Sequence, residues 1–399
     1  MLNGEKLIAR PFRWGMVGGG RTSQVGYKHR TGALRDNTVF ELVAGAFDIN
    51  HEAGISFGVN IGVDASRCYK NYKEMFEEEA KRPDGIEVVT IATPNGTHYE
   101  ICKAALEAGL HVICEKPLFF KSEEGYEIKE LAERQNKLVG VMYGYSGNPI
   151  LQQMRAMIAE GAIGEVRIVD MQYTHGFSSS EVVDVSDAQK WRVDPKIAGP
   201  SFVIGDLSTH TFYISEMVMP QMKIDRLLCD RQSFVGTRAP LEDNANILIQ
   251  YKNGAVGRMW VSSVNAGCLD GQRIRIVGSK ASLEWWDSKP SELLYEVQGE
   301  PSQKLIRGLT YLHESAQEDE RLGATHVEGL SDFWGNIYLR IARAMDAKNR
   351  NDEAMLSTIV YPGIDAGISG IEWIENCVKS ADSGAVWVDY KTGSPINTN

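Results

Sequence analysis

Three residues of this chain have the chemistry to move a proton at an alcohol carbon: Lys116, Asp206 and His210. Lys116 sits in Glu115-Lys116-Pro117, directly after His111-Val112-Ile113-Cys114, an apolar run that reads as a buried strand. A charged pair and a proline at such a strand end belong at the carboxyl edge of a parallel sheet, where open α/β folds bind ligands. Asp206 and His210 are four positions apart, so a helix sets them on one face. Oxidising an alcohol to a ketone removes an O–H proton while hydride leaves carbon. An imidazole suits the proton because it titrates near neutrality, Asp206 can orient the hydroxyl, and Lys116 can stabilise a developing alkoxide. The plain alternatives are a surface loop lysine and an exposed polar pair at a helix start.

A hydride needs an acceptor, and the N-terminal segment offers a place for one. The strand-like Phe12–Val17 runs into Gly18-Gly19-Gly20-Arg21-Thr22-Ser23, a glycine-rich turn of the kind that receives a dinucleotide pyrophosphate. Gly18 and Gly20 fit the first two glycines of Gly-x-Gly-x-x-Gly. Ser23 takes the third place, where glycine normally allows close helix–strand packing. Asp48 ends the second strand, where a carboxylate can accept from an adenosine ribose and would repel a 2′-phosphate, so NAD is favoured over NADP. Capping of a helix starting near His51 is the other reading of Asp48. Thr93-Pro94-Asn95-Gly96-Thr97-His98 follows the third strand and places Thr93, Pro94, Asn95 and His98 at the same edge, either as cofactor contacts or as a strand-to-helix turn capped by Asn95 or Thr97.

The elements around these motifs divide the chain in two. Over residues 1–148 continuous apolar strands (Phe12–Val17, Phe40–Phe47, Ile86–Ala92, Leu110–Cys114, Leu138–Met142) alternate with helical patterns, which predicts a doubly wound parallel α/β domain. Residues 149–399 begin with a helix and continue into long strands between 166 and 297, predicting a large, mostly antiparallel sheet with one face open. Asn253-Gly254 between two of those strands predicts a two-residue type I′ hairpin. Helices are expected over 335–348 and 359–380.

Bulk properties exclude several classes. With 399 residues, 43% hydrophobic and 24% charged, the chain reads as a globular protein of two domains. A net charge of −11 argues against nucleic acid as a partner. No apolar run reaches membrane-span length and no signal sequence is evident, so a cytoplasmic location is expected. Six scattered cysteines read as reduced thiols, and no His/Cys cluster calls for a metal.

Taken together, the Gly18-x-Gly20 turn, Thr93-Pro94-Asn95-x-x-His98, Glu115-Lys116-Pro117 and Asp206-x-x-x-His210 resemble the Gfo/Idh/MocA oxidoreductases over nearly the whole chain. The resemblance implies a Rossmann domain followed by an α/β domain whose open sheet often forms homodimers or homotetramers. It also implies reversible oxidation of a secondary ring hydroxyl on a sugar, glycoside or cyclitol such as inositol. By that resemblance Lys116 and His210 belong to proton transfer, and Asp206 holds substrate. Trp191-Arg192-x-Asp194-Pro195 resembles a loop near the nicotinamide, which places Trp191 and Arg192 at the cofactor and Arg192 also at the substrate. Thr325-His326-x-Glu328-Gly329 resembles a segment of the same subgroup, with His326 reaching the substrate. Tyr145, ending a Rossmann strand with Tyr143, is a further pocket candidate, while Trp285 and Trp286 suit either sugar stacking or the core. The pair Ser208-Thr209 departs from relatives that carry glycine before the histidine. Two alternatives stay open: the same chemistry with NAD retained and cycled, or a nucleotide-sensing regulator without catalysis.

Overall fold

In the computed structural model, which describes residues 8–36, 38–181, 194–268 and 271–393, the apolar runs near the N-terminus become a parallel sheet. Its strands are β1 (Phe12–Gly18), β2 (Phe40–Ala46), β3 (Val88–Ala92), β4 (His111–Cys114) and β5 (Val139–Val141), in the order β2-β1-β3-β4-β5. Every neighbouring pair is parallel. The order reverses between β1 and β3, the switch point at which doubly wound sheets bind ligands. Val88, Val89, Ile91, Val112, Ile113 and Cys114 are all fully buried, as strands covered on both faces require. Each large apolar side chain so buried contributes about 1.5–3 kcal/mol.

Two compact units emerge, one of residues 4–144 with 330–371 and one of residues 145–329 with 372–399, apart from the extreme N-terminus. The segment 330–371 groups with the parallel sheet. The reason is packing: the helix Leu330–Asn349 lies against the helix Gly26–Ala33, with Trp334 meeting the His29 ring at 4.8 Å.

The second unit holds a nine-stranded sheet: β6 (Val166–Thr174), β7 (Ile224–Gln232), β8 (Asn244–Tyr251), β9 (Val256–Ser262), β10 (Gly271–Gly278), β11 (Ala281–Trp286), β12 (Glu292–Val297), β13 (Gln303–Ile306) and β14 (Val388–Asp389). Their order is β13-β12-β11-β10-β6-β9-β8-β7-β14, antiparallel except for the β6–β9 pair. One face carries Ile168, Leu248, Val256 and Trp260, all exposed, beside ion pairs from Asp170 to Arg258 (2.7 Å) and Arg273 (2.9 Å). The hairpin at Asn253-Gly254 forms, but only Gly254 takes positive φ (+86°), and its N–H closes on Tyr251 O at 2.9 Å. A type I′ turn needs positive φ at both central residues, so this is a different turn in which Asn253 uses its side chain to accept from Ala255 N. No helix among the described residues is long and apolar enough to cross a membrane.

Candidate active site

In the first unit the glycine turn is shaped by close backbone approaches. Gly18 and Gly19 adopt φ of +76° and +73°. A Cβ on Gly18 would stand 2.5 Å from Ala92 O, and one on Gly20 would stand 2.4 Å from Phe47 O, so the turn threads between the ends of β3 and β2 with no room for side chains. Ser23 does not take the packing role that the sequence pattern assigns to it. Gly26, at the start of the helix, does: its Cβ would lie 2.1 Å from Gly19 O. Ser23 instead accepts from Gly26 N through Oγ at 3.0 Å, while Arg30 donates to Gly19 O at 2.6 Å. Arg21 and Thr22 are exposed on the turn. These exposed positions, the glycine cradle and the helix N-terminus fit a pyrophosphate.

Asp48 follows β2 and accepts from Asn50 N at 2.9 Å. Helix capping falls to Asn50, whose side chain accepts from Ala53 N at 3.0 Å. Asp48 is thus not spent as the cap, and it lies beside the fully exposed Ile49, a fit for an adenosine ribose.

Thr93, Pro94 and Asn95 lie at or near the surface after β3, and neither Asn95 nor Thr97 caps the following helix by its side chain. His98 is different. It is fully buried, with Nδ1 3.1 Å from Pro117 O and 3.2 Å from Leu118 O, and Nε2 2.9 Å from Thr93 O. The expected cofactor contact from this side chain is replaced by a tie between two loops. Burial pushes its pKa down, against the carbonyls and Glu115 that favour the cation. Glu115 is likewise inward: Oε1 is 3.0 Å from His29 Nε2, and Oε2 accepts from Lys116 N at 3.2 Å. Burial works to raise the Glu115 carboxyl, but the close His29 contact, with Lys116 and His98 nearby, holds it below its ordinary value. Lys116 itself is half-buried, and the Lys116–Pro117 peptide is cis.

In the second unit, Asp206 lies in a π turn (Ile204–Ser208) that leads into the helix Thr209–Val218 carrying His210. Such widened turns are frequent at functional sites. Hydroxyls absorb the disturbance: Thr209 Oγ1 donates to Gly205 O at 2.8 Å, Ser208 Oγ donates to Ile204 O, and Trp373 Nε1 donates to Ser208 Oγ at 2.7 Å. This is what Ser208-Thr209 does in place of glycine. The start of the turn is anchored by buried Glu242, whose Oε1 accepts from Ser201 Oγ (2.6 Å), Phe202 N (2.8 Å) and Ile204 N (3.0 Å).

The His210 ring packs edge-on to Tyr145 at 5.1 Å and lies 6.1 Å from Tyr173. The two tyrosine hydroxyls are hydrogen-bonded at 2.7 Å. Burial, with the negative charges of Asp287 and Asp206 adding to it, lifts both phenols above their ordinary value, so at neutral pH they are neutral hydroxyls. Tyr173 and Asp287 thus join Tyr145, Asp206 and His210. Sequence reading missed both, because β6 alternates polar and apolar residues and nothing local marks Tyr173 out. Tyr143 is not a pocket residue. It is 1% exposed in the first unit, and Trp285 is fully buried in the second.

His326 is exposed on a loop held by Arg307, which donates to the His326 carbonyl and pairs with Glu320 and Glu328. Trp191 and Arg192 lie outside the described residues. Lys116 belongs to the first unit, and Asp206, His210, Tyr145 and His326 to the second. No group of three or more metal-binding side chains occurs among the described residues.

Two profiles of one oxidoreductase family match this chain: the NAD-binding Rossmann fold over residues 12–143 and the C-terminal alpha/beta domain over residues 155–390. The chain belongs to the Gfo/Idh/MocA oxidoreductase family. It is 71% identical to the uncharacterized oxidoreductase YfiI of Bacillus subtilis (strain 168), over 98% of this chain and 100% of that protein. Among solved structures, an inositol dehydrogenase homolog from Azotobacter vinelandii complexed with NAD+ superimposes with a TM-score of 0.96 at 57% identity, covering 98% of this chain and 100% of the other. The same homolog with NADH and myo-inositol gives a TM-score of 0.93 at 56% identity, covering 97% and 100%. Levoglucosan dehydrogenase of Pseudarthrobacter phenanthrenivorans is 32% identical over 44% of this chain and 48% of that protein. The protein is accordingly an oxidoreductase with an NAD-binding Rossmann domain.

Proposed function

We propose that this oxidoreductase uses NAD to oxidise a secondary ring hydroxyl of a cyclitol or sugar to a ketone, with inositols as the preferred class. The observation that carries the reading is the likeness, at 56% identity over 97% of the chain, to a homolog bound to NADH and myo-inositol. The local chemistry supports it. Bound NAD supplies the hydride acceptor, and the glycine cradle and Asp48 would hold its pyrophosphate and ribose. Lys116, Asp206 and His210 handle the hydroxyl proton, with His210 as the base, Asp206 orienting the hydroxyl and Lys116 stabilising the alkoxide; a general base of this kind contributes about 10²–10⁴ in rate. Tyr145 and Tyr173 act as neutral hydrogen-bonding hydroxyls, which suits a polyol better than an anionic substrate. Self-association as a dimer or tetramer is assigned to the exposed face of the nine-stranded sheet, where apolar side chains and an Arg/Asp ladder alternate.

The test is the near-ultraviolet absorbance of reduced nicotinamide with NAD and a panel of inositols, free hexoses, alkyl glucosides and anhydrosugars. A rise with inositols above the other classes is expected. A rise confined to anhydrosugars or glucosides would overturn the cyclitol preference, and no rise with any class while NAD binds would overturn the exchange of NAD with solution.

A further inference from the structure

A row of buried side chains in the first unit ends on the catalytic tripeptide. Trp14 Nε1 donates to Thr90 Oγ1 at 2.9 Å; Thr90 Oγ1 is 3.0 Å from Tyr338 OH; Tyr338 OH is 2.7 Å from His29 Nδ1; His29 Nε2 is 3.0 Å from Glu115 Oε1. Glu115 Oε2 then receives the Lys116 N–H. Trp14, Thr90 and His29 are fully buried, and Tyr338 is 1% exposed.

For a neutral His29 the carboxylate end sets the order of the row. An indole can only donate and an ionised carboxylate can only accept. A neutral His29 carries its hydrogen on Nε2, facing the Glu115 carboxylate, so Nδ1 accepts from Tyr338, Tyr338 accepts from Thr90, and Thr90 accepts from Trp14. For a neutral ring the reverse order would set a bare imidazole nitrogen against a carboxylate. Burial alone favours a protonated Glu115, and the His29 contact is the first of the influences that hold it ionised.

We propose that His29 and Tyr338 are positioning residues: they hold the Glu115 carboxylate in place, so that the turn Glu115–Pro117 presents Lys116 to the reacting hydroxyl. The inference rests on the role given to Lys116 under Proposed function. Neither His29 nor Tyr338 touches substrate in this scheme; both act through Glu115.

The experiment compares His29→Leu, His29→Gln, Tyr338→Phe and Glu115→Gln with Lys116→Ala and wild type, measuring kcat, KM for NAD, the pH profile and melting. Losing a hydrogen bond to a charged group is expected to lower kcat by about ten- to hundredfold in His29→Leu while KM for NAD moves little. Its acid limb moves to higher pH, because Glu115 has lost the partner that lowers it. His29→Gln, whose amide N–H falls near the imidazole Nε2, restores most of kcat and the limb. The double variant His29→Leu/Glu115→Gln falls no further than the worse single one. Nitrogen-15 NMR of His29 gives a readout independent of turnover: the Nε2–H tautomer or the doubly protonated ring in wild type, and loss of that signature in Tyr338→Phe. Tyr338→Phe keeps the aromatic ring and carries the test if His29→Leu does not fold. An unmoved limb without rescue by glutamine, or a neutral Nδ1–H tautomer in wild type, would overturn the proposal. Turnover retained in Lys116→Ala would instead sink the role of Lys116, an outcome separable from an inactive Lys116→Ala beside a normal His29→Leu.

Discussion

Replacing Gly26 with alanine is expected to force open the cofactor turn. The new Cβ would lie 2.1 Å from Gly19 O and 2.6 Å from both the carbonyl carbon and the Cα of Gly19. All three are backbone atoms, so no side chain can swing aside. The turn or the helix Gly26–Ala33 must move by about 1 Å, and overpacking of this sort costs about 1–3 kcal/mol. Gly19 O also accepts from Arg30, so the displacement strains a second contact. If binding requires the native turn, NAD affinity falls by roughly 5- to 150-fold, at about 1.4 kcal/mol per factor of ten. Calorimetric titration with NAD, beside thermal melting, measures both consequences. Gly236→Ala is the control, since nothing lies within 4 Å of a Cβ there, and its affinity should stay within about twofold of wild type. A Gly26→Ala protein that binds NAD like wild type with an unchanged melting temperature would refute the reasoning.

Other outcomes follow from the same geometry. Asp48→Ser should weaken NAD by about tenfold or more while leaving NADP equal or improved, because a charge-assisted ribose contact and a repulsion are removed together; equal loss for both cofactors would dismiss the ribose role. Glu328 is lifted above its ordinary value by burial, with Glu320 adding and Arg307 opposing. The folded state therefore holds that proton more tightly than the unfolded chain, and the stability it contributes is complete below about pH 4.3 and lost as pH rises through the raised value. Glu328→Gln keeps an acceptor for Arg321 N and Leu322 N, so it should melt at or above wild type near pH ~8 and lose that advantage near pH ~4; a gap independent of pH would contradict this. Trp260→Glu on the open sheet face should shift sedimentation toward the monomer without loss of folded signal, and an unmoved profile would exclude that face as the interface.

The sequence carried the parallel sheet well because β3 and β4 are unbroken apolar runs, and both faces of such strands must be covered. The edge strand Gln303–Ile306 was missed because it is four residues long, two polar and exposed and two apolar and half-buried, so neither run nor alternation marks it. Spacing singled out Glu115, Lys116, Asp206 and His210 as candidates, but it could not tell which side chains point inward. His98 was placed at the ligand edge by its position after the third strand, whereas its side-chain orientation depends on Thr93, Pro117 and Leu118. Gly26 was overlooked because the glycine template stops at position 23. The partnership of His29 with Tyr338 spans 309 positions, which no local pattern reports. The widened turn at Asp206 depends on Glu242 and Trp373 and is equally invisible in a four-residue spacing.

The most direct test of the central claim measures turnover and NAD affinity of Lys116→Ala on one preparation, with the best substrate of the panel. NADH formation is expected to disappear while NAD binds within several-fold of wild type. Undiminished NADH formation in that variant would contradict the assignment of Lys116, and with it the proton-transfer scheme built on Lys116, Asp206 and His210.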